Sequence, residues 1–134
     1  MKNDILADHI RRFFEEHLEL QRGFSRQTIL SYRDTIKLFL KFAANQKKKS
    51  VSDLTLPDLN QNMATDFLEH LEKTRGNSRQ TRNNRLACLH SLFRYIANSD
   101  PLTFGQCQRI LTIPLKRTKI SATDYLEREE IKAI

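Results

Sequence analysis

The chain has 134 residues, of which 39% are hydrophobic and 29% charged, with three glycines, three prolines and no tryptophan. This composition favours a single helical domain, and because no apolar run approaches about 18 residues and no signal-peptide core is present, we expect a cytoplasmic protein that stays out of membranes. The net charge is +7, and it is unevenly distributed along the chain.

Two helices are predicted in the first half of the chain, because apolar residues recur there at intervals of three and four. The first runs from about residue 4 to residue 21, and Gly23 is expected to end it. The second begins at Ser25, a favoured N-cap residue, and fades in the polar run NQKKKS. Its apolar face consists of Ile29, Tyr32, Ile36, Phe39, Leu40 and Ala43.

Two further helices are predicted after a loop that contains Pro57. One runs from about residue 60 to residue 74, with apolar residues at four-residue steps, and Gly76 stops it. The other runs from residue 78 to about residue 98. A short helix around residues 105–111 and an extended basic stretch, IPLKRTK, come next, and TDYLEREEIKAI has the pattern of another helix start.

A polar hexapeptide begins both the second and the fourth helix, as GFSRQT at residues 23–28 and as GNSRQT at residues 76–81. Residues 21–50 carry eight basic side chains and one acidic, and residues 73–98 carry six basic and none acidic. Residues 51–72 between them carry five acidic side chains and none basic. Positive charge is therefore concentrated in the two segments that begin with the repeat, whereas a merely soluble surface mixes both signs.

The apolar stripe of the fourth helix becomes cationic toward its amino end. Arg79 and Arg82 continue the spacing of the apolar residues that follow them, so all are expected to share one face. Because burying an unpaired arginine is costly, we expect the first two turns to project beyond the core toward an anionic surface. Pairing of both arginines with carboxylates of their own chain would contradict this expectation.

The two helix starts carry the residue types that bind nucleic acid. Free amides and the positive dipole end at a helix amino terminus suit phosphate oxygens, and Arg, Gln and Asn also read base edges. The predicted DNA-binding residues of these helices are Ser25, Arg26, Gln27, Thr28, Arg33, Arg79, Gln80, Thr81, Arg82, Asn83 and Arg85. N-capping alone would explain Ser25 and Ser78, but it does not explain the run RQTRNNR.

The sequence contains no recognisable catalytic or metal-binding pattern. Its four histidines are scattered without HExxH spacing, and it has neither a Gly-rich phosphate loop nor a GxSxG motif. Cys88 and Cys107 lack CxxC spacing and are expected to be reduced packing residues. We therefore predict no catalytic residue, no metal and no cofactor.

One known family has its motifs in the same order. The chain resembles the N-terminal core-binding domain of tyrosine recombinases, the lambda-integrase and Xer-like family, in the succession of SRQTILSYRDTIKLFLKF, LTLPDLNQNMATDFLEHL, SRQTRNNRLACLHSLFRYIAN, DPL, IPLKRTK and YLEREEIKAI. The resemblance implies an all-α, four- to five-helix orthogonal bundle of the SAM-like type with an extended C-terminal linker. It also implies that the partners are double-stranded DNA and other recombinase protomers.

The resemblance implies a division of the chain as well. Residues 1–98 would form the core-binding domain, residues 99–120 a basic linker with a short helix, and residues 121–134 the start of a catalytic domain. The linker residues expected to cross a DNA backbone are Lys116, Arg117 and Lys119. The family's catalytic arginine would fall beyond Ile134, so the fragment is not expected to be an enzyme, whereas its full-length parent would integrate and recombine DNA.

A second interpretation stays open at the level of sequence. A helical protein-interaction domain could use the same basic face to dock an acidic partner, and acidic segments could pair with basic ones between protomers. Binding to a membrane surface fits less well, because the cations cluster at helix ends rather than along one amphipathic face.

Overall fold

Helices make up most of the chain. This computed structural model describes residues 4–118, and the helices in chain order are α1 (Asp4–Arg12), which continues directly into a π-helix (Phe13–Gln21), α2 (Arg26–Lys47), α3 (Gln61–Lys73), α4 (Arg79–Ser99) and α5 (Phe104–Leu111). Within residues 4–118 there is no strand, which agrees with the predicted all-α class. None of the helices in this range is long and apolar enough to cross a membrane.

The repeated hexapeptide forms the same helix cap twice. At the start of α2, the Ser25 Oγ accepts a hydrogen bond from the Thr28 amide at 3.2 Å. At the start of α4, the Ser78 Oγ accepts one from the Thr81 amide, also at 3.2 Å. Each serine thereby satisfies one of the amides that a helix start leaves free, and the predicted N-caps are confirmed.

The predicted glycine stops are also confirmed. Gly23 and Gly76 have φ angles of +60° and +69°, in the left-handed region that glycine occupies without a side-chain clash. Just beyond them, the Phe24 amide donates to the Leu18 carbonyl at 3.0 Å and the Asn77 amide to the Leu71 carbonyl at 2.9 Å. These hydrogen bonds, each between residues six positions apart, close the ends of the π-helix and of α3.

The first predicted helix has the expected extent but changes its winding at Phe13. From there to Gln21 the backbone follows the i to i+5 pattern, and at its end the Arg22 amide donates to the His17 carbonyl at 2.8 Å. Phe13 and Leu18, five residues apart, are both fully buried. A regular α-helix would point these two side chains in widely different directions, so the wider winding allows both to enter the core.

A cluster of phenylalanines occupies the centre of the bundle. Phe13, Phe39, Phe67 and Phe93, from four different helical segments, are each at most 1% exposed. The ring centroid of Phe39 lies 5.1 Å from that of Phe67 and 6.4 Å from that of Phe93. Aromatic contacts at these distances add to the burial of apolar area, so this cluster fixes α2, α3 and α4 against one another.

The bundle extends beyond the predicted boundary at residue 98. Cys107 and Ile110 of α5 are fully buried in the same core, and Ile113 is 7% exposed. The Gln106 Nε2 donates to the carbonyls of Leu56 and Leu59 at 2.6 and 3.1 Å, which ties α5 to the loop before α3. The short helix expected within residues 99–120 is thus present as α5, an amphipathic helix of two turns that packs on the core, and the division at residue 98 stays a prediction. Residues 121–134 lie outside the described residues.

The thiols of Cys88 and Cys107 are free and buried, as predicted for packing residues. Burial raises the pKa of both thiols, although hydrogen bonding to threonine opposes the shift. A thiol with a raised pKa is poorly ionised at neutral pH, which makes both groups weak nucleophiles.

Candidate nucleic-acid interface

The amino-terminal turns of α4 present two kinds of side chain. Arg79 and Gln80 are exposed, whereas Arg82 and Asn83 are only 6% and 9% exposed. The expectation that Arg82 projects beyond the core with Arg79 is therefore wrong. Asn83 departs from the prediction in the same way, because it too faces the protein interior.

Arg82 is buried because the fold supplies partners for its charge. Its Nη1 donates to the Pro114 carbonyl at 3.1 Å and to the Asn83 Oδ1 at 3.0 Å. Its Nε lies 3.7 Å from the Glu72 Oε1 of α3. Burial lowers the pKa of the guanidinium, and Glu72 opposes that shift. The cost of burial expected for an unpaired arginine is thus offset by hydrogen bonds and a carboxylate.

Asn83 binds the backbone of the residues that follow α5. Its Nδ2 donates to the Lys116 carbonyl at 2.7 Å, and its Oδ1 accepts from the Lys116 amide at 2.9 Å. One turn earlier, the Arg79 Nη1 donates to the Arg117 carbonyl at 3.2 Å. We call residues 114–117 the strap, because three side chains of α4 hold its main chain against the amino-terminal turns of that helix.

Glu72 of α3 closes the arrangement from the other side. The Lys116 Nζ donates to the Glu72 Oε1 at 2.6 Å, the same oxygen that lies near Arg82. The hydrogen bond from Lys116 lowers the pKa of the Glu72 carboxyl, and the charges of Lys116, Arg82 and Arg79 act in the same direction. An acidic side chain thus lies among the basic side chains at the amino end of α4. Its place could not be read from the sequence, because the acid and its partners are far apart in the chain.

The start of α2 is more open. Arg26, Gln27 and Arg33 are exposed, and Thr28 is half-buried beneath the Ser25 cap. Within residues 4–118, no carboxylate lies within ion-pair distance of Arg26 or Arg33. The free amides of the first turn of α2 therefore lie on the same surface as Arg26 and Arg33, and no acid within residues 4–118 neutralises these two arginines.

Arg85 joins the two helices instead of facing outward. Its Nη1 donates to the Thr35 Oγ1 of α2 at 3.2 Å, and Thr35 is only 2% exposed. On the outer side of α4, the Gln80 Nε2 donates to the Asn84 Oδ1 at 3.0 Å. Of the predicted residues on α4, Arg79 and Gln80 are therefore exposed and Thr81 is half-buried, whereas Arg82, Asn83 and Arg85 bind protein partners at buried or half-buried positions.

The strap carries the predicted linker cations. The Lys116 side chain is 45% exposed although it is paired with Glu72, and Arg117 is exposed. Lys119 lies outside the described residues. The structure thus brings Lys116 and Arg117 to the amino end of α4, while the start of α2 forms a second basic element of the surface.

Comparison with known proteins assigns the chain to a protein family. The chain matches the family described as "Phage integrase, N-terminal SAM-like domain" over residues 10–99. That match covers most of the described helices, and the chain belongs to this family. No solved structure is significantly similar to the chain.

Two curated proteins of Sinorhizobium fredii (strain NBRC 101917 / NGR234) are similar to the chain along nearly its whole length. "Putative integrase/recombinase y4rD" is 38% identical over 130 residues, which cover 97% of this chain and 46% of that protein. "Putative integrase/recombinase y4rC" is 39% identical over 133 residues, which cover 99% of this chain and 40% of that protein. The chain therefore spans less than half the length of these relatives.

Proposed function

We propose that this chain is a DNA-binding module, the core-binding domain of a tyrosine recombinase, and that it binds duplex DNA with the amino ends of α2 and α4. The observation that carries the proposal is the duplicated Ser-Arg-Gln-Thr cap. It places an exposed arginine, Arg26 or Arg79, beside the free amides of a helix start at two separate points. Both features favour phosphate oxygens.

The proposed contacts are the predicted residues of the two helix starts and the strap that are exposed, together with the half-buried threonine beside each serine cap. The side chains assigned to DNA are Ser25, Arg26, Gln27, Thr28, Arg33, Arg79, Gln80, Thr81, Lys116 and Arg117. Arg82 and Asn83 are assigned to holding the strap and Arg85 to holding α2, since these three side chains bind protein partners at buried or half-buried positions. Arg79 and Lys116 also bind protein partners, but their side chains are exposed. Lys119 stays a prediction from the family resemblance.

The first test is the dependence of DNA affinity on salt. If about five phosphates are neutralised, the logarithm of the affinity should fall against the logarithm of salt concentration with a slope of about −4 to −5. Fluorescence anisotropy with labelled duplex DNA measures both quantities. Binding that is absent, or that does not respond to salt, would contradict the proposal.

Single substitutions locate the interface. Arg26→Ala and Arg79→Ala should each weaken DNA binding, uniformly across sequences if they contact phosphate and selectively if they read a base. Arg11→Ala is the matched control, because Arg11 is an exposed arginine of α1 that pairs with Asp8 and Glu15. An equal loss in the control would indicate an unspecific effect of net charge.

The alternative role, docking of an acidic protein partner, is separated by a titration. Amide signals of residues 25–33 and 79–85 should shift when duplex DNA is added. Three acids of the 51–72 segment are already engaged within the chain: Asp58 with Lys49, Glu69 with Lys73 and Glu72 with Lys116. The alternative requires acidic residues of one protomer to pair with basic residues of another, and these internal pairs leave fewer acids available for that.

The activity of the longer protein is a proposal as well. Both relatives carry the words integrase/recombinase in their names and exceed this chain in length. We infer that the corresponding full-length protein cuts and joins DNA with residues outside this chain, and that residues 1–134 alone bind DNA without cleaving it. Nicking of supercoiled DNA by the isolated chain would overturn that inference.

A further inference from the structure

Glu72 occupies an unusual position for an acid. Among residues 4–118, it is the carboxylate that reaches the amino end of α4 and the strap within ion-pair distance. Its Oε1 lies 2.6 Å from the Lys116 Nζ and 3.7 Å from the Arg82 Nε. One oxygen therefore faces two cations, as a phosphate oxygen of bound DNA would.

We propose that Glu72 is a built-in competitor of the DNA phosphates, which keeps Lys116 engaged within the protein and thereby limits the affinity for DNA. This inference rests on the proposed DNA-binding function and names a residue that tunes it. It adds to that function because Glu72 is itself acidic and would contact no DNA.

The two cations that Glu72 faces differ in their freedom to change partners. The Arg82 side chain is 7% exposed and is also held by the Pro114 carbonyl, so it stays with Glu72 in any complex. The Lys116 side chain is 45% exposed. The two hydrogen bonds to Asn83 fix only its backbone, so the ammonium can turn from the carboxylate to a phosphate while the strap stays in place.

The competition lowers affinity in two ways. Lys116 must give up the Glu72 carboxylate before it can neutralise a phosphate, so the net gain is smaller than for an unpaired lysine. Glu72 also repels any phosphate that approaches Lys116, because two like charges at short range interact unfavourably even where solvent screens them. Arg117, the neighbouring cation of the strap, makes no ion pair within the described residues and has no such penalty.

The test compares Glu72→Gln with Glu69→Gln in the full 134-residue chain. Both changes remove one negative charge from α3 and keep the size of the side chain, but Glu69 pairs with Lys73 at 2.5 Å. At about 0.1 M salt, the dissociation constant for duplex DNA should be about threefold lower for Glu72→Gln than for Glu69→Gln. Equal tightening would overturn the inference, because the gain would then reflect net charge alone.

A double-mutant comparison identifies Lys116 as the mediator. In a Lys116→Gln background, the extra gain from Glu72→Gln should disappear, and its persistence would overturn the inference. If Glu72→Gln fails to fold, the competition can be tested by comparing the DNA affinities of Lys116→Ala and Arg117→Ala, both of which retain Glu72. Lys116→Ala should then weaken binding less than Arg117→Ala does, and a loss as large or larger would contradict the competition.

The wild-type chain separates the two proposals. Salt-dependent binding of duplex DNA by the wild type, with equal effects of Glu72→Gln and Glu69→Gln, would reject only the role of Glu72. Absence of binding by the wild type would reject the proposed function and this inference together.

Discussion

Asn83 and Lys116, 33 residues apart, pair through both polar atoms of the asparagine amide at 2.7 and 2.9 Å. The side chain on α4 satisfies one donor and one acceptor of the strap backbone, as a neighbouring β-strand would. A segment without secondary structure thereby gains a defined path across α4, to which Arg79 and Arg82 add hydrogen bonds on either side of Lys116.

Removal of that amide should release the strap. We expect Asn83→Ala to accelerate trypsin cleavage after Lys116 and Arg117, because a protease needs an extended, locally opened backbone. The loss of three hydrogen bonds, two to Lys116 and one from Arg82, should also lower the free energy of unfolding by about 2–4 kcal/mol. Cleavage after Lys47 to Lys49 serves as the internal control, and parallel acceleration there would indicate general unfolding.

The two serine caps should be energetically similar. Ser25→Ala and Ser78→Ala are each expected to lower the free energy of unfolding by about 0.5–2 kcal/mol, because the amide of Thr28 or Thr81 loses its acceptor. Urea denaturation followed by circular dichroism measures the change. Ser31→Ala, at an exposed position inside α2, is the matched control and should be close to neutral.

The end of α2 offers a stabilising substitution. Lys48 has a φ of 54° although it is not glycine, and its amide donates to the Asn45 carbonyl at 3.3 Å. Lys48→Gly should raise the free energy of unfolding by about 0.5–1 kcal/mol, since glycine adopts this conformation without strain. Lys47→Gly, one residue earlier and still helical, should be destabilising. The same sign for both substitutions would contradict this account.

The buried face of α5 should contribute to stability. Ile110 is fully buried, whereas the adjacent Leu111 is only half-buried. Ile110→Ala is expected to cost about 2–5 kcal/mol in thermal or urea unfolding, and Leu111→Ala clearly less. If both substitutions were tolerated equally, α5 would be an appendage, in agreement with a domain that ends at the boundary predicted at residue 98.

The ion pairs of Glu72 should make stability depend on pH. Since the pKa of Glu72 is lowered in the folded protein from its ordinary value of 4.5, the unfolded state takes up the proton first as the pH falls. The contribution of Glu72 is therefore complete above its ordinary pKa and is lost as the pH falls through the lower, folded value. The difference in unfolding free energy between wild type and Glu72→Gln should shrink over that range. A difference independent of pH would contradict the pairing.

Much of the helical layout could be predicted because its signals are local. The serine caps, the glycine stops and the apolar spacing of α2, α3 and α4 each lie within a few residues of the feature they specify. The π-helical segment was missed although its signal was present, since Phe13 and Leu18 are five residues apart and a regular α-helix cannot bury both.

The error at Arg82 has a different origin. Its partners, Glu72 and the Pro114 carbonyl, lie ten residues before it and 32 residues after it. No helical periodicity connects these positions, and only packing of α3 and the strap against α4 brings them together. The spacing correctly places Arg82 on the same helix face as the apolar stripe, but it gives no sign of the groups that neutralise the charge and allow its burial.

The three α4 side chains that hold the strap all bind main-chain atoms: the carbonyls of Pro114, Lys116 and Arg117 and the amide of Lys116. Any amino acid provides a carbonyl, and any except proline provides an amide. The outward side chains at 115 and 117 can thus be exchanged without loss of these hydrogen bonds, so the path of the main chain across α4 does not depend on which side chains it carries there.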